Sequence, residues 1–343
     1  MQIEELSDKI RDHVGQEKPL SIVGGNSKDF YGADLSKLEP ISTLGLNQII
    51  SYEPSELVIR VQAGCSLEVI NAALEEKHQM LGFEPPDFGG STIGGAIASG
   101  IAGSRRPFAG AGRDFLLGVD MIDGTGEVFT FGGQVMKNVA GYDVSRLMAG
   151  ALGCLGLITE VSLKVLPRPE HELTSMKPVA RLEVLSEMKK LSAMPEVSGL
   201  AWWQSNLYVR FCGSENTVKL RLAAFGGDLV PTSFWQQVDT MGLFSGADKI
   251  WRVSTKPMDQ SNALEEADLI DWSGSQRWLT TGDDLENQVE INADAYMTLV
   301  KTNDQQKNRF AALSAPIEAL HKKLKATFDP FGILNPNKMY EGI

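Results

Sequence analysis

The sequence predicts a two-lobed α+β protein, and three observations predict it. A chain of 343 residues at 43% hydrophobic content can bury a large core, yet it exceeds what one compact domain usually holds. Its first half alternates short strand-like runs with amphipathic helical runs. The composition then changes at Pro167 to Pro169, and a tryptophan-rich stretch of hairpins and helices follows.

Taken in order, "MQIEELSDKIRDHV" sets Ile3, Leu6, Ile10 and Val14 on one helical face and predicts a surface helix; its acidic residues stand where a secretion signal has a basic start. "SIVGG" ends a short strand in glycines, and "ELVIRVQAG" is a strand bounded by Pro54 and Gly64. "SLEVINAALEEKHQML" places Leu67, Ile70, Leu74 and Met80 or Leu81 on one helical face, with Ser66 as the cap. "LLGVDMIDGTGEVFTF" reads as two strands joined through Asp123 to Gly126, and "GLITEVSLKVLPRP" as a strand ended by prolines. Beyond the prolines, "GLAWWQSNLYVRFCGS" predicts a hairpin turning at Ser205 and Asn206. The helices "ENTVKLRLAAFGG" and "SFWQQVDTM" and the strand "DKIWRVSTKP" follow. A long helix, "QKNRFAALSAPIEALHKKLKATF", precedes the tail "DPFGILNPNKMYEGI".

The formal net charge of −12 argues against a nucleic-acid partner or a polybasic membrane contact, so an anionic ligand needs a local device. Cys65, Cys154 and Cys212 lie far apart, which excludes a CxxC metal or redox site and a protein-bound iron–sulfur cluster. This cysteine usage fits a reducing compartment, and no window approaches the length of a membrane span. The expected location is therefore cytoplasmic, and no metal ligand set is read.

Two glycine-rich stretches carry the chemistry. "IVGGNSKDFYG" follows a strand and offers Gly24, Gly25, Asn26 and Ser27, whose successive N–H groups can turn toward one point and bind phosphate; an ordinary glycine turn is the alternative. In "GGSTIGGAIASGIAG" the small residues Gly94, Gly95, Ala98, Ser99, Ala102 and Gly103 form a surface for a flat ligand or a pyrophosphate, or for tight helix packing. Neither stretch matches GxGxxG opening a helix or GxxxxGK[ST], so a Rossmann site or a P-loop is poorly supported.

Five motifs in order, "IVGGNSK", "PPDFGGSTIGGAIASGIAG", "GRDFLLGVDMIDGTGEV", "MKNVAGYDVSRLMAGALGCLGLITEVSLKVLPRP" and "FDPFGILNPNKMY", resemble the two-subdomain FAD-binding fold of the vanillyl-alcohol oxidase and p-cresol methylhydroxylase superfamily. Within it the chain is most similar to the FAD-binding subunit of bacterial glycolate oxidase. The resemblance implies an FAD-binding domain over residues 1–170, a small cap-like α+β domain over 171–325, and a tail, 326–343, returning to the FAD domain. It implies FAD as cofactor, with Gly24, Gly25, Asn26, Ser27 and Lys28 at the pyrophosphate. It similarly puts Gly90, Ser91, Thr92, Gly94 and Gly95 beside the pyrophosphate and ribityl chain, with Ser99 and Gly103 continuing that wall. Gly153, Gly156 and Ile158 fall near the adenine and its ribose. Where the family commonly reads G-S-E-G-T-L-G, this chain has Gly150-Ala151-Leu152-Gly153-Cys154-Leu155-Gly156, without the carboxylate and the hydroxyl. Neither glycine stretch holds a histidine, so the flavin is expected to be noncovalent, and Cys65 and Cys154 read as buried apolar thiols.

Oxidising a 2-hydroxy acid requires a base and usually an arginine for the carboxylate. Relatives that do so carry an H-x-G-D-G-N-x-H type segment, which is absent here. His13, His78 and His321 sit on helix-like segments, and His171 alone lies near the lobe boundary. Arg105, Arg106 and Arg113 read as surface or ion-pair residues, with a carboxylate clamp as the alternative. Lys137, Tyr142, Asp143 and Arg146 form a polar group that orients its helix or meets a partner or the flavin. The catalytic residues stay unassigned. The resemblance implies a subunit of a multi-component glycolate oxidase, oxidising glycolate, with D-lactate as a further candidate substrate. A larger FAD-binding catalytic subunit and an iron–sulfur subunit are its partners, and through them it can sit at the inner face of the cytoplasmic membrane. A stand-alone FAD-dependent 2-hydroxy-acid dehydrogenase and a flavin-free assembly subunit are the other readings.

Overall fold

In the computed structural model, residues 2–133, 142–258, 267–280, 295–304 and 309–343 are described. The chain divides into two units: Met1–Ile101, Ala111–Pro167 and Gln305–Ile343 form the first, Ala102–Gly110 and Arg168–Asp304 the second. The C-terminal segment thus joins the first unit from Gln305, ahead of the expected start at 326, and carries its helix with it.

The first unit begins with α1 (Ile3–Gln16). Its apolar stripe does more than line a surface helix: Leu6 and Ile10 are fully buried, in one cluster with Leu20, Ile41, Leu46, Ile122, Leu157, Ile333 and Leu334. β1 (Leu20–Val23) runs parallel to β2 (Glu39–Ser42). β3 (Ile49–Glu53) and β4 (Val58–Gln62) are antiparallel neighbours. α2 (Leu67–Glu75) starts on its predicted cap, Ser66 Oγ accepting from Val69 N at 3.2 Å. It ends before the apolar spacing does, because His78 takes φ 51° and β5 (Gln79–Met80) pairs with Leu166 and Pro167.

α3 (Ile93–Ser99) follows, with Thr92 as its cap. Residues 102–110, with α4 (Arg106–Ala109), belong to the second unit, and α5 (Gly112–Phe115) resumes the first. β6 (Leu116–Ile122) and β7 (Val128–Gly132) form the predicted hairpin. Asp123 Oδ1 fixes its turn by accepting from Thr125 N at 2.8 Å and Glu127 N at 2.9 Å. After α6 (Tyr142–Met148) come β8 (Leu157–Lys164) and β9 (Leu166–Pro167). The five-stranded sheet has the order β3-β4-β8-β6-β7, with β8 between β4 and β6 and buried along nearly its whole length.

The C-terminal helix, Ala315–Phe328, ends in a buried clamp. Lys325 Nζ donates to Cys154 O at 2.8 Å and Leu334 O at 2.7 Å, and pairs with Asp329 at 2.7 Å. Asp329 in turn accepts from Ile333 N at 3.1 Å and Leu334 N at 2.8 Å. Leu20 N donates to Ile333 O at 2.9 Å, which ties the tail alongside β1.

The second unit is built on β10 (His171–Pro178), α7 (Arg181–Ser192), β11 (Val197–Trp203), β12 (Asn206–Gly213), α8 (Glu215–Phe225), β13 (Asp228–Val230) and α9 (Ser233–Asp239). β14 (Ile250–Ser254), β15 (Leu269–Asp271), β16 (Gln276–Leu279) and β17 (Tyr296–Lys301) complete it. Its eight described strands make one sheet in the order β13-β10-β12-β11-β15-β16-β14-β17. The β11–β12 hairpin turns at Gln204 and Ser205, with φ 48° and 62°, one residue ahead of the expected position, because Asn206 already pairs with Trp203. Residues 102–110 are held within this unit: Ser104 N donates to Asp239 Oδ1 at 2.9 Å, and Arg105 pairs with Glu172. Among the described residues no helix is long and apolar enough to cross a membrane.

Removing one partner of a buried ion pair strands the other. Asp329→Ala therefore lowers stability by about 3–5 kcal/mol, read in urea unfolding as a lower midpoint at unchanged slope.

Candidate functional site

The two glycine stretches of the first unit fold against each other. Ser91 Oγ joins them: it lies 2.7 Å from Ser27 Oγ and accepts from Lys28 Nζ at 2.9 Å and Phe88 N at 3.2 Å. Asp87 Oδ1 shapes the second loop by accepting from Gly89 N at 2.9 Å and Ser91 N at 3.0 Å. A Cβ on Gly25 would overlap the Gly90 carbonyl oxygen, and one on Gly24 would lie 2.5 Å from Thr92 Oγ1. Asn26 takes φ 51°, which turns the loop at its centre. Among the described residues none accepts a hydrogen bond from the N–H groups of Gly25, Asn26, Ser27 or Lys28. These amides are the neutral donors that a phosphate takes.

A cleft of about 440 Å³ opens over this pair of loops. Of the expected cofactor residues, Gly24, Gly25, Asn26, Ser27, Lys28, Thr92, Gly95 and Ser99 line it. The others do not, and each has a different job. Gly90 and Ser91 lie beneath the first loop. Gly94 packs on the chain itself: its N–H donates to Ala63 O at 2.8 Å, and a Cβ there would stand 2.7 Å from Ala63 Cβ. Gly103 is placed in the second unit, where its carbonyl accepts from Trp272 Nε1 at 3.1 Å. Gly153, at φ 74°, abuts Asn335 Nδ2, Gly156 abuts Met121, and Ile158 is buried in β8 opposite Met121.

The cleft also has walls that sequence reasoning missed: Asp34, Leu35, Ser36 and Leu38 from the β1–β2 connection, Pro40 of β2, Leu152, and Asn335 and Lys338 from the tail. Asn335 Oδ1 accepts from Ile22 N at 2.6 Å, and its Nδ2 donates to Leu152 O at 2.7 Å. The tail motif "NPNK" was the one available signal, because it carried the resemblance without a role for any of its residues. Leu152, where the resemblance led one to expect a carboxylate, presents an apolar wall at φ 51°.

No described histidine lines the cleft. His13 Nδ1 lies 3.0 Å from Lys18 O, His78 is exposed, His171 is half-exposed beside Glu170, and His321 packs on Tyr340. Arg105 is in its ion pair, Arg106 stacks over Trp272 at 4.2 Å, and Arg113 is exposed. Lys137 lies outside the described residues, Tyr142 and Asp143 are described as backbone only, and Arg146 pairs with Asp114 at 2.7 Å. Burial raises the thiol of Cys65 and pushes that of Cys154 up to about 11, so both are unreactive at neutral pH.

The donor set fits a dinucleotide pyrophosphate. Burial pushes the Lys28 ammonium down from 10.5 to about 8, against the pull of Asp87, and burial lowers Lys338 as well. A cation held in such a place gains from a bound anion.

Two outcomes follow from this geometry. A Cβ on Gly95 meets only Thr92 Oγ1, at 3.3 Å, so Gly95→Val folds and loses FAD by crowding the cleft, whereas Gly94→Val loses stability against Ala63; flavin absorbance together with thermal unfolding separates the two. The free folded chain releases the Lys28 proton near pH 8, while the unfolded chain keeps it to 10.5. Across that window the free protein therefore gains stability as pH rises. FAD affinity runs the other way, holding below pH 8 and falling above it, and Lys28→Met flattens that fall in titrations from pH 7 to pH 10.

The FAD binding domain family matches residues 2–132. The chain is 40% identical over 341 residues to the glycolate oxidase subunit GlcE of Escherichia coli (strain K12), covering 98% of this chain and 96% of that protein. It is 35% identical over 145 residues to a D-lactate dehydrogenase of Anaerostipes hadrus and 36% identical over 130 residues to the glycolate oxidase subunit GlcD of Bacillus subtilis (strain 168). These two matches cover 42% and 38% of this chain but only 30% and 27% of the relatives. Among solved structures, an alkyldihydroxyacetonephosphate synthase superposes with a TM-score of 0.66 at 14% identity, covering 98% of this chain and 76% of that one, a likeness of fold alone. With the cleft built mainly by the matched residues and a relative aligned over nearly its full length, the chain binds FAD and belongs to the FAD-dependent oxidoreductase family that contains glycolate oxidase subunit GlcE.

Proposed function

We propose that this chain is the smaller FAD-binding subunit of a multi-component glycolate oxidase that converts glycolate, and D-lactate as a second substrate, to the 2-oxo acid. The observation that carries the reading is the 40% identity to GlcE over 96% of that protein's length, set against a match to GlcD that covers only 27% of it. The larger partner, a GlcD-like flavin subunit, supplies the substrate base and the carboxylate clamp, and an iron–sulfur subunit takes the electrons away. The first unit is the FAD-binding domain, and the second is a cap-like domain. The complex works in the cytoplasm, at the inner face of the membrane through its other subunits.

FAD supplies a hydride acceptor that can pass electrons on. The chain's own residues do the holding. The amides of Gly25 to Lys28 and the ammonium of Lys28 face the pyrophosphate, Gly95 leaves room for it, and Thr92, Ser99 and Leu152 wall the cleft. Neither cleft loop carries a histidine for a covalent link, and the buried thiols are held protonated, so the cofactor is noncovalent.

Without a placed base and clamp, a bound flavin lacks the proton-transfer and positioning contributions, each worth powers of ten in rate. The purified chain is therefore yellow, releases its colour to the supernatant on acid precipitation, and reduces dye with glycolate only at background rate. Adding the larger flavin subunit and the iron–sulfur subunit restores turnover. Glycolate or D-lactate oxidation by the chain alone would instead make it a stand-alone dehydrogenase, and a colourless chain that refuses FAD would make it an assembly subunit.

A further inference from the structure

The tail does more than pack against β1. Lys338 holds a single residue of the β1–β2 connection from two sides: its carbonyl accepts from Ala33 N at 2.9 Å, and its Nζ donates to Ala33 O at 2.7 Å. The approach is close, since Gly32 takes φ 82° and a Cβ there would stand 2.6 Å from Lys338 O. On either side of this contact, Tyr31, Asp34, Leu35 and Ser36 line the cleft, whereas Gly32 and Ala33 do not.

Past Lys338 the chain folds back on itself. Asn337 N donates to Ile343 O at 2.8 Å, Gly342 N to Asn337 Oδ1 at 2.7 Å, and Ile343 N to Tyr340 O at 3.1 Å, with Ile343 buried. At the other end Asn335 is fixed to Ile22 and Leu152. The segment is thus a closed loop anchored at both ends, with the Lys338 hook between them.

We propose that Asn335–Ile343 is a strap that retains the bound cofactor, with Lys338 as a positioning residue that holds the Ala33 loop over the cleft. The inference rests on the FAD reading of that cleft. A strap governs escape: the cofactor leaves when the loop lifts from Lys338, while entry uses the open face of the same cleft. The hook consists of two hydrogen bonds, the side-chain one part-buried and donated by an ammonium, and such charge-assisted bonds are stronger than neutral ones. Acid groups face the ammonium from the loop, Asp29 and Asp34, and Arg309 opposes it from the C-terminal segment.

The test measures FAD association and dissociation by the change in flavin fluorescence in the full-length wild type, Lys338→Met, Lys338→Arg and Gly32→Ala. The off-rate should rise about tenfold in Lys338→Met, the loss of one charge-assisted hydrogen bond. The on-rate should stay within about threefold, as is usual for variants of one interface. Lys338→Arg keeps a donor for Ala33 O and stays near wild type. Gly32→Ala wedges the same contact apart without touching the cleft and should match Lys338→Met, so it decides the matter if Lys338→Met fails to fold. An unchanged off-rate in both opening variants overturns the strap, and so does a loss confined to the on-rate, which would make Lys338 an electrostatic attractor only. A wild-type chain that binds no FAD overturns the cofactor reading beneath it.

Discussion

The first unit depends on its C-terminal segment returning to its first strand. Asn335 satisfies the N–H of Ile22 and the carbonyl of Leu152 with one amide side chain, and both neighbours line the cofactor cleft. Next to it the ammonium of Lys325 collects two carbonyls and the carboxylate of Asp329 in a buried place. Buried polar groups of this kind are worth little when fully satisfied and cost much when one partner is lost. The arrangement therefore works as a specification of register. It fixes where β1, the Leu152 turn and the tail meet, and the cleft is the space they leave.

On the proposed placement of FAD, that space is how a chain with a net charge of −12 would hold a dianionic cofactor link. The device is local. Four consecutive amides of the Gly25–Lys28 loop find no acceptor among the described residues, and a half-buried lysine stands beside them at Ser91. Neutral N–H donors bind phosphate without adding to the average surface charge, and the half-buried lysine is partly withdrawn from the screening of water. The cost of burying the ammonium appears as its lowered pKa, and binding the anion offsets it.

The glycines of the cleft illustrate how one residue type serves different constraints. Gly25 is bare because the Gly90 carbonyl occupies the place of its side chain, and Gly94 because Ala63 does. Gly95, where a Cβ would meet only Thr92 Oγ1, is open toward the cleft. A contact list separates loop packing from ligand approach, and a glycine pattern merges them. Arg105, beside the second glycine stretch, left a carboxylate clamp open as an alternative, and its side chain closes an ion pair with Glu172, as its first reading had it.

Local order was written in the chain. The helical spacing of Ile3, Leu6 and Ile10, the Ser66 cap, the Asp123 turn and the β8 strand ended by prolines each follow from the rotation per residue of helices and strands, or from local side-chain and proline effects on the backbone. The first glycine loop was legible for the same reason, since its donors are consecutive in sequence. What only the tertiary structure decided is everything that joins residues far apart. These are the Ser27–Ser91 link, the assignment of residues 102–110 to the second unit, the end of α2 at a left-handed His78, and the tail residues Asn335 and Lys338 on the cleft. Periodicity records which face of an element is buried and leaves out what buries it. A cleft whose walls come from positions 21 to 40, 92 to 99, 152 and 335 to 338 exists only once the chain has closed on itself.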